Sequence, residues 1–305
     1  MKSGGSHLRI VDSKMTWLIT GGSGQLGIAV SQELGERVND FRVWGSQDLN
    51  ITQGPIVKAF VGQLSPKVII NCAAWTDVDG AESNEIGASR VNSDGAENVA
   101  VAAKECGTKF IHISTDYVFS GEREFPWEVD DVLNPQSTYG RTKAEGETRV
   151  LKIYPEKSFI VRTAWLYSPW GKNFAKTMTR LAINGEGEVR VVNDQVGQPT
   201  SAMDLAKQLI DLGLSDAPAG IYHGTNYGQA TWFEFAQEIF KFVGADVRRV
   251  FPILSSELPR PAKRPAYSVL SHKAWAKTSI EPMREWRIAL AEAMPAIISA
   301  VEAEE

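Results

Sequence analysis

The chain has 305 residues, 43% hydrophobic and 23% charged, with a formal net charge of −5. That balance suits one large or two modest globular domains with a proper core, and it gives no broad basic surface for nucleic acid. Cys72 and Cys106 are too few for a disulfide framework and fit a reducing cytoplasm, and no apolar run reaches the roughly 18 residues of a membrane span or forms a signal-peptide core.

Residues 1–14, with Gly4-Gly5-Ser6, read as an N-terminal extension, and the periodic pattern starts at Met15. A short apolar strand over Trp17 to Thr20 leads into a helix from Gly24. A strand over Phe41 to Trp44, a helix from Pro55 to Leu64 and a strand over Val68 to Ala73 follow, which is βαβαβ. One long helix is predicted from Asn84 to Cys106, then a strand over Phe110 to Thr115, a helix around Tyr139 and a strand over Phe159 to Ala164. Helix-separated strands rich in Val and Ile predict a doubly wound parallel sheet of Rossmann type over 15–165. The rhythm then loosens. Helices over Lys172 to Asn184, Ser201 to Leu214, Thr231 to Val243 and Glu285 to Val301 alternate with extended chain at Val189 to Asn193 and Gly220 to Gly224. Pro252, Pro259, Pro261 and Pro265 interrupt the stretch before the last helix. Residues 166–305 are therefore expected to form mainly a smaller mixed α/β substrate-binding domain, with some segments returning to the first.

Gly21-Gly22-Ser23-Gly24-Gln25-Leu26-Gly27 joins the first strand to the first helix. In that context Gly21 suits a tight turn, Gly24 close approach of backbone to a pyrophosphate, and Gly27 tight helix packing. No carboxylate ends the second strand at Val43-Trp44-Gly45-Ser46, so NADPH is as acceptable as NADH and slightly preferred. Asp48 and Leu49 just beyond either touch the adenine or form an ordinary loop.

Tyr139 and Lys143, four apart on a helix, place a phenol beside an ammonium. The lysine charge is expected to lower the phenol from its usual pKa of about 10 toward the range where it works as an acid. Thr115 closes the strand that carries Ser114-Thr115-Asp116-Tyr117, at the carboxyl end where such sheets place ligands. Hydroxyl, phenol and ammonium together suit polarising a carbonyl and giving it a proton. His112 and His223 read as strand residues, and no metal-ligand spacing occurs.

With Gly24-Gln25-Leu26-Gly27, Asn71 to Asp79, Ser114 to Phe119, Tyr139 to Lys143, Arg162 to Trp165 and Asn193 to Thr200 in view, the chain resembles the extended short-chain dehydrogenase/reductases. Within them it is similar to the dTDP-4-dehydrorhamnose reductase family over essentially all of Met15 to Ala300. The resemblance implies reduction of a dTDP-4-keto-6-deoxy sugar with NADPH or NADH by a cytoplasmic monomer or homodimer. It implies that Tyr139 is the proton donor, that Lys143 bonds the nicotinamide ribose and that Thr115 holds the substrate oxygen. Gly21, Ser23, Gly24, Gln25, Leu26, Ala73, Ala74 and Thr76 would line the cofactor. Asp116 and Trp165 would contact the sugar nucleotide, with Asn173, Gln198 and Arg264 toward its diphosphate and base; Arg264 reads equally well as a surface arginine in a proline-rich loop. A dehydratase or epimerase on the same scaffold and a non-catalytic dinucleotide-binding regulatory subunit are the alternatives. Tyr117 stands where family dehydratases carry glutamate, which disfavours water elimination.

Overall fold

Short runs of large apolar residues buried on both faces become parallel strands when helices can cover each side, because lone strands leave their backbone groups unpaired. In the computed structural model, which describes residues 16–38 and 40–304, this happens five times in the first half and once more from the second. The predicted extension and Met15 lie outside the described residues. In chain order the first half comprises β1 (Trp17–Thr20), α1 (Gln25–Arg37), β2 (Phe41–Trp44), α2 (Gly54–Leu64), β3 (Val68–Asn71), α3 (Val78–Ser83), α4 (Glu85–Ser89), α5 (Ala96–Cys106), β4 (Lys109–Thr115), α6 (Thr138–Ile153) and β5 (Ser158–Thr163). There follow β6 (Leu166–Tyr167), α7 (Phe174–Asn184), β7 (Val189–Val192), β8 (Val196–Gly197), β9 (Thr200–Ser201), α8 (Ala202–Leu214), β10 (Gly220–His223), β11 (Ala230–Thr231), α9 (Trp232–Val243), β12 (Val250–Ile253) and α10 (Trp286–Glu302).

The six-stranded sheet has the order β10-β5-β4-β3-β1-β2, all parallel. The strand order reverses between β1 and β3, and a crevice opens there beyond their carboxyl ends. Period-two alternation sorts the side chains: Trp17, Ile19, Ile111 and Val161 pack under α1 and α8, while Leu18, Ile69, Phe110 and Ile160 pack under α2, α5 and α6. Each such buried side chain contributes about 1.5–3 kcal/mol relative to an exposed one. α8 and β10 come from the second half of the chain but belong to this layer. The remaining lobe packs α7, α9 and α10 around Tyr167, Met178, Phe235, Phe240 and Trp286. Pro252 sits inside β12, which among the described residues pairs with β7 alone and so leaves room for a missing N–H on its other side.

The single helix expected from Asn84 to Cys106 is not continuous. α3 precedes it, Asn84 caps α4 by accepting from Gly87 N, and Arg90–Gly95 is wound as a π-helix before α5 begins. Hydropathy alone does not register this, because one extra residue per turn shifts the backbone without removing an apolar position. The wider turn carries Asn92, which is buried. Its Oδ1 accepts from Trp75 N (2.9 Å), and its Nδ2 donates to Trp75 O (3.2 Å) and Thr142 Oγ1 (3.1 Å). Asn92 thus ties the loop after β3 to the helix bearing Tyr139.

Candidate active site

Gly21 follows β1 with φ +69°, and a Cβ there would lie 2.5 Å from Ala73 N, so only glycine fits the turn. At Gly24, the residue before α1, an added Cβ would approach nothing closer than 3.3 Å. α1 has neither a side-chain cap nor an acid in its first turn. Its first N–H groups are left for a ligand, an arrangement suited to phosphate. A cleft of about 710 Å³ runs from this turn to the carboxyl ends of β3, β4 and β5. Gly21, Ser23, Gly24, Gln25, Leu26, Leu49, Ala73, Ala74 and Thr76 line one arm of it, and Thr115, Asp116, Tyr139, Lys143, Trp165 and Asn173 line the other.

Two local devices bring Tyr139 to Thr115. Ser137 caps α6 by accepting from Gly140 N (3.1 Å), which sets the direction in which the helix starts. Gly140 then lets the helix press against the turn after β4, where a Cβ would meet Tyr117 O at 2.2 Å. The Thr115 hydroxyl, which donates to Asp116 Oδ1 (3.0 Å), lines the cleft beside Tyr139 and acts to lower its phenol's pKa. The Tyr117 ring stands edge-on to Tyr139 at 5.6 Å. Burial pushes the Asp116 carboxyl up to about 6, with bonds from Ser268 and Thr115 acting against it.

The electrostatics correct one expectation. The Lys143 Nζ donates to Ile113 O (2.5 Å), and burial pushes the Tyr139 phenol up to about 12 rather than down, with Thr115 acting against it and the Asp116 charge adding to it. The spacing on the helix is as expected, but the long lysine side chain turns beneath the strand. Burial brings the lysine itself down to about 8, while Glu147 and Cys72 pull the other way.

Three sequence candidates lie outside the cleft lining. Asp48 Oδ2 accepts from Gly45 N (2.9 Å) and closes its own turn, leaving Ser46, Leu49, Asn50 and Thr52 as the wall there. Gln198 is buried, with Oε1 accepting from Leu270 N (2.8 Å) and Thr225 Oγ1 (2.9 Å). Arg264 forks onto Asp79 at 2.8 and 2.9 Å, pinning the proline-rich loop to α3. Asn173 lines the cleft but spends its amide on Gln25 Oε1 and Ser168 O, both at 2.9 Å.

Sequence reading missed Phe174, Trp232 and Phe235, which with Trp165 form an aromatic wall. Trp232 stacks on Trp165 at 3.6 Å and 10°, and Trp165 holds a left-handed φ of +46° that a bulky residue rarely adopts. Lys172 was also missed. It lines the cleft beside Gln25, whose Nε2 donates to its carbonyl (3.5 Å). The signal for the tryptophan was an aromatic residue opening a helix directly after the Thr231 cap, next to Glu234 of the capping box. Among the described residues no cluster of His, Cys, Asp or Glu could hold a metal ion, and no helix is long and apolar enough to cross a membrane.

A glycine turn at the first strand, a ligand crevice at the switch point and a hydroxyl–phenol pair over a buried lysine define the dinucleotide-binding fold of the extended short-chain dehydrogenase/reductases. Residues 15–298 match the family model described as the RmlD substrate binding domain. The chain belongs to that family. It is 45% identical to the dTDP-4-dehydrorhamnose reductase of Streptomyces griseus over 285 residues, 92% of this chain and 93% of the relative. It is 42% identical to the dTDP-4-keto-6-deoxy-D-glucose reductase of Streptomyces niveus over 282 residues, 92% of this chain and 96% of the relative. Its fold superposes on a crystal structure of the Bacillus anthracis dTDP-4-dehydrorhamnose reductase in complex with NADP, with a TM-score of 0.87 at 38% identity, covering 92% of this chain and 99% of that one.

Proposed function

We propose that this protein reduces dTDP-4-dehydro-β-L-rhamnose to dTDP-β-L-rhamnose with NADPH or NADH. The observation that carries this reading is the convergence of the uncapped α1 terminus and the Thr115–Tyr139 pair on one cleft, in a chain of this family. The residues present fit the nucleotide. Gly24 leaves room for a pyrophosphate against α1, and the wall beyond β2 offers Ser46, Asn50 and Thr52 with no acid turned into it, which accommodates a 2′-phosphate. When bound, the cofactor supplies hydride to the sugar carbonyl carbon.

Everything else falls to the protein. Thr115 orients the carbonyl oxygen, and Tyr139 gives that oxygen its proton as negative charge builds there. With its phenol held high, Tyr139 stays protonated at neutral pH and so remains a donor. Lys143 would hold the nicotinamide ribose, and Lys172 would offer a cation for a diphosphate beside the α1 terminus. Trp165, Phe174 and Trp232 cover the deoxy sugar with apolar surface and keep water from the reacting carbon. Residues 15–165 act as the nucleotide half and 166–305 mainly as the substrate half, in a cytoplasmic enzyme.

The test is NADPH oxidation by the purified protein with that 4-keto sugar, beside dTDP-4-keto-6-deoxy-D-glucose. Consumption of NADPH with the rhamnose precursor is expected, and Tyr139→Phe should lose about 10²–10⁴-fold in kcat while still binding NADPH. Turnover as fast in Tyr139→Phe as in wild type refutes the mechanism, and turnover only with the glucose-derived ketone corrects the substrate.

A further inference from the structure

His112 lies fully buried in the middle of β4, and no step above uses it. Its surroundings determine its proton. Asn71 Oδ1 accepts from Thr20 Oγ1 (2.6 Å) and from the backbone N–H of Ala73 (3.3 Å); a backbone N–H can only donate, so the amide's oxygen end is the one that faces them. The Asn71 NH₂ therefore points at His112 Nδ1, 3.0 Å away, and that nitrogen is the acceptor. A neutral imidazole that accepts at Nδ1 carries its hydrogen on Nε2. Nε2 lies 3.5 Å from Lys143 Nζ.

Two donors then face each other, since an ammonium has no lone pair to receive the imidazole hydrogen. The ring cannot yield by taking a second proton, because Nδ1 is occupied and the ring is wholly enclosed; burial and the lysine charge both hold it well below its usual pKa. The remaining neighbours of Nζ only partly restore the balance. Ile113 O accepts from it, and Cys72 beyond β3 is a thiol that burial pushes up to about 12, so it stays neutral. Glu147, one turn along α6, has both oxygens drawn to Arg162 of β5 (Nε at 2.9 and 3.2 Å, Nη2 at 2.7 Å), and Tyr139, one turn before, is held neutral.

We infer that His112 is a positioning residue for Lys143: pinned by Asn71 with its hydrogen on Nε2, it turns an N–H toward the lysine and loosens the lysine's hold on its proton. The role of Lys143 in catalysis rests on the reductase reading, but the tautomer and the loosened proton do not. The Thr20–Asn71–His112 chain crosses from β1 through β3 to β4, so the strands under the glycine turn also set the charge of the site's lysine.

The test uses the full chain labelled with ¹⁵N-histidine and ¹³C-lysine. Long-range ¹H–¹⁵N correlation should show His112, assigned by its loss in His112→Phe, as the neutral Nε2–H form from pH 5 to 9. The Lys143 side chain, assigned by Lys143→Met, should titrate about one pH unit higher in His112→Phe and in Asn71→Leu than in wild type. If the reductase reading holds, the basic limb of kcat/KM moves up with it. An Nδ1–H tautomer or an imidazolium in the wild type overturns the inference even if both variants fail to fold. A Lys143 midpoint that stays put or falls in a folded variant overturns it as well. Absence of turnover with the expected NMR result refutes the reductase reading and leaves the inference standing.

Discussion

The two walls of the cleft are made differently. The floor, with Thr115, Asp116, Tyr139 and Lys143, comes from one strand end and the helix that follows it, residues within 29 positions of one another (143 − 115 = 28 steps). The aromatic wall, with Trp165, Phe174, Trp232 and Phe235, is gathered from a loop and two helices spread over 70 steps (235 − 165). The floor is clamped by directional bonds: Ser137 and Asn92 to α6, Glu147 to Arg162. The wall is held by stacking, which is less directional and adapts more readily to a substrate's shape. On the proposed function, the chemistry that needs sub-ångström placement falls to the rigid side and the surface offered to the sugar to the pliable one.

The largest expected way to break the contrast is to release the clamp. Arg162 and Glu147 are 1% and 2% exposed and meet at 2.7 Å. Arg162→Met leaves a carboxylate alone under the sheet and should cost about 3–5 kcal/mol in urea unfolding. Adding Glu147→Leu should recover most of that loss, since no buried charge is then left unpaired. A single variant as stable as wild type would mean that the floor is not held this way.

Asp116, at the junction of the two walls, gives an intermediate effect with a definite sign. Its folded pKa of about 6 lies above the ordinary 3.8, so ionising it opposes the fold. That penalty is absent below about pH 4, grows as pH rises through 6 and is then complete, on the order of 3 kcal/mol at most. Asp116→Asn should therefore raise Tm at pH 8 and change it little at pH 3.5. Equal shifts at both pH values would point to packing instead.

The smallest effect sharpens the comparison from the other side. Trp232→Ala removes the ring stacked on Trp165. It should raise KM for the sugar nucleotide about two- to tenfold and leave NADPH affinity within twofold, as ring-stacking energies of about 0.5–1.5 kcal/mol imply. Loss of NADPH binding would show that the wall serves the nucleotide arm too.

Legibility in the sequence followed the same division. Strands such as Trp17–Thr20 and Phe41–Trp44 were read to the residue, because period and β-branching are local properties. The glycine turn was equally plain, since the glycine spacing between the first strand and first helix is local, although the neighbour that demands glycine at Gly21 is Ala73, just past the end of β3. Phe174 and Lys172 were invisible, because nothing at their own positions marks them as neighbours of Trp165 or Gln25, and Trp232 carried only its place after the Thr231 cap. Gln198, Arg264 and Asp48 show the opposite: their polar groups suited a ligand, and the fold pairs each with protein, the bland alternative the sequence also allowed for Arg264 and Asp48.

The sequence by itself determined the βαβ order and the glycine turn, and it offered the hydroxyl, phenol and lysine as candidates through their spacing along a helix or at a strand end. Only the tertiary structure decided what Lys143 touches. Spacing places its Cα one turn from Tyr139, but the lysine's four-carbon stem reaches Ile113 O and the edge of His112, and that choice depends on strand β4 lying beneath α6.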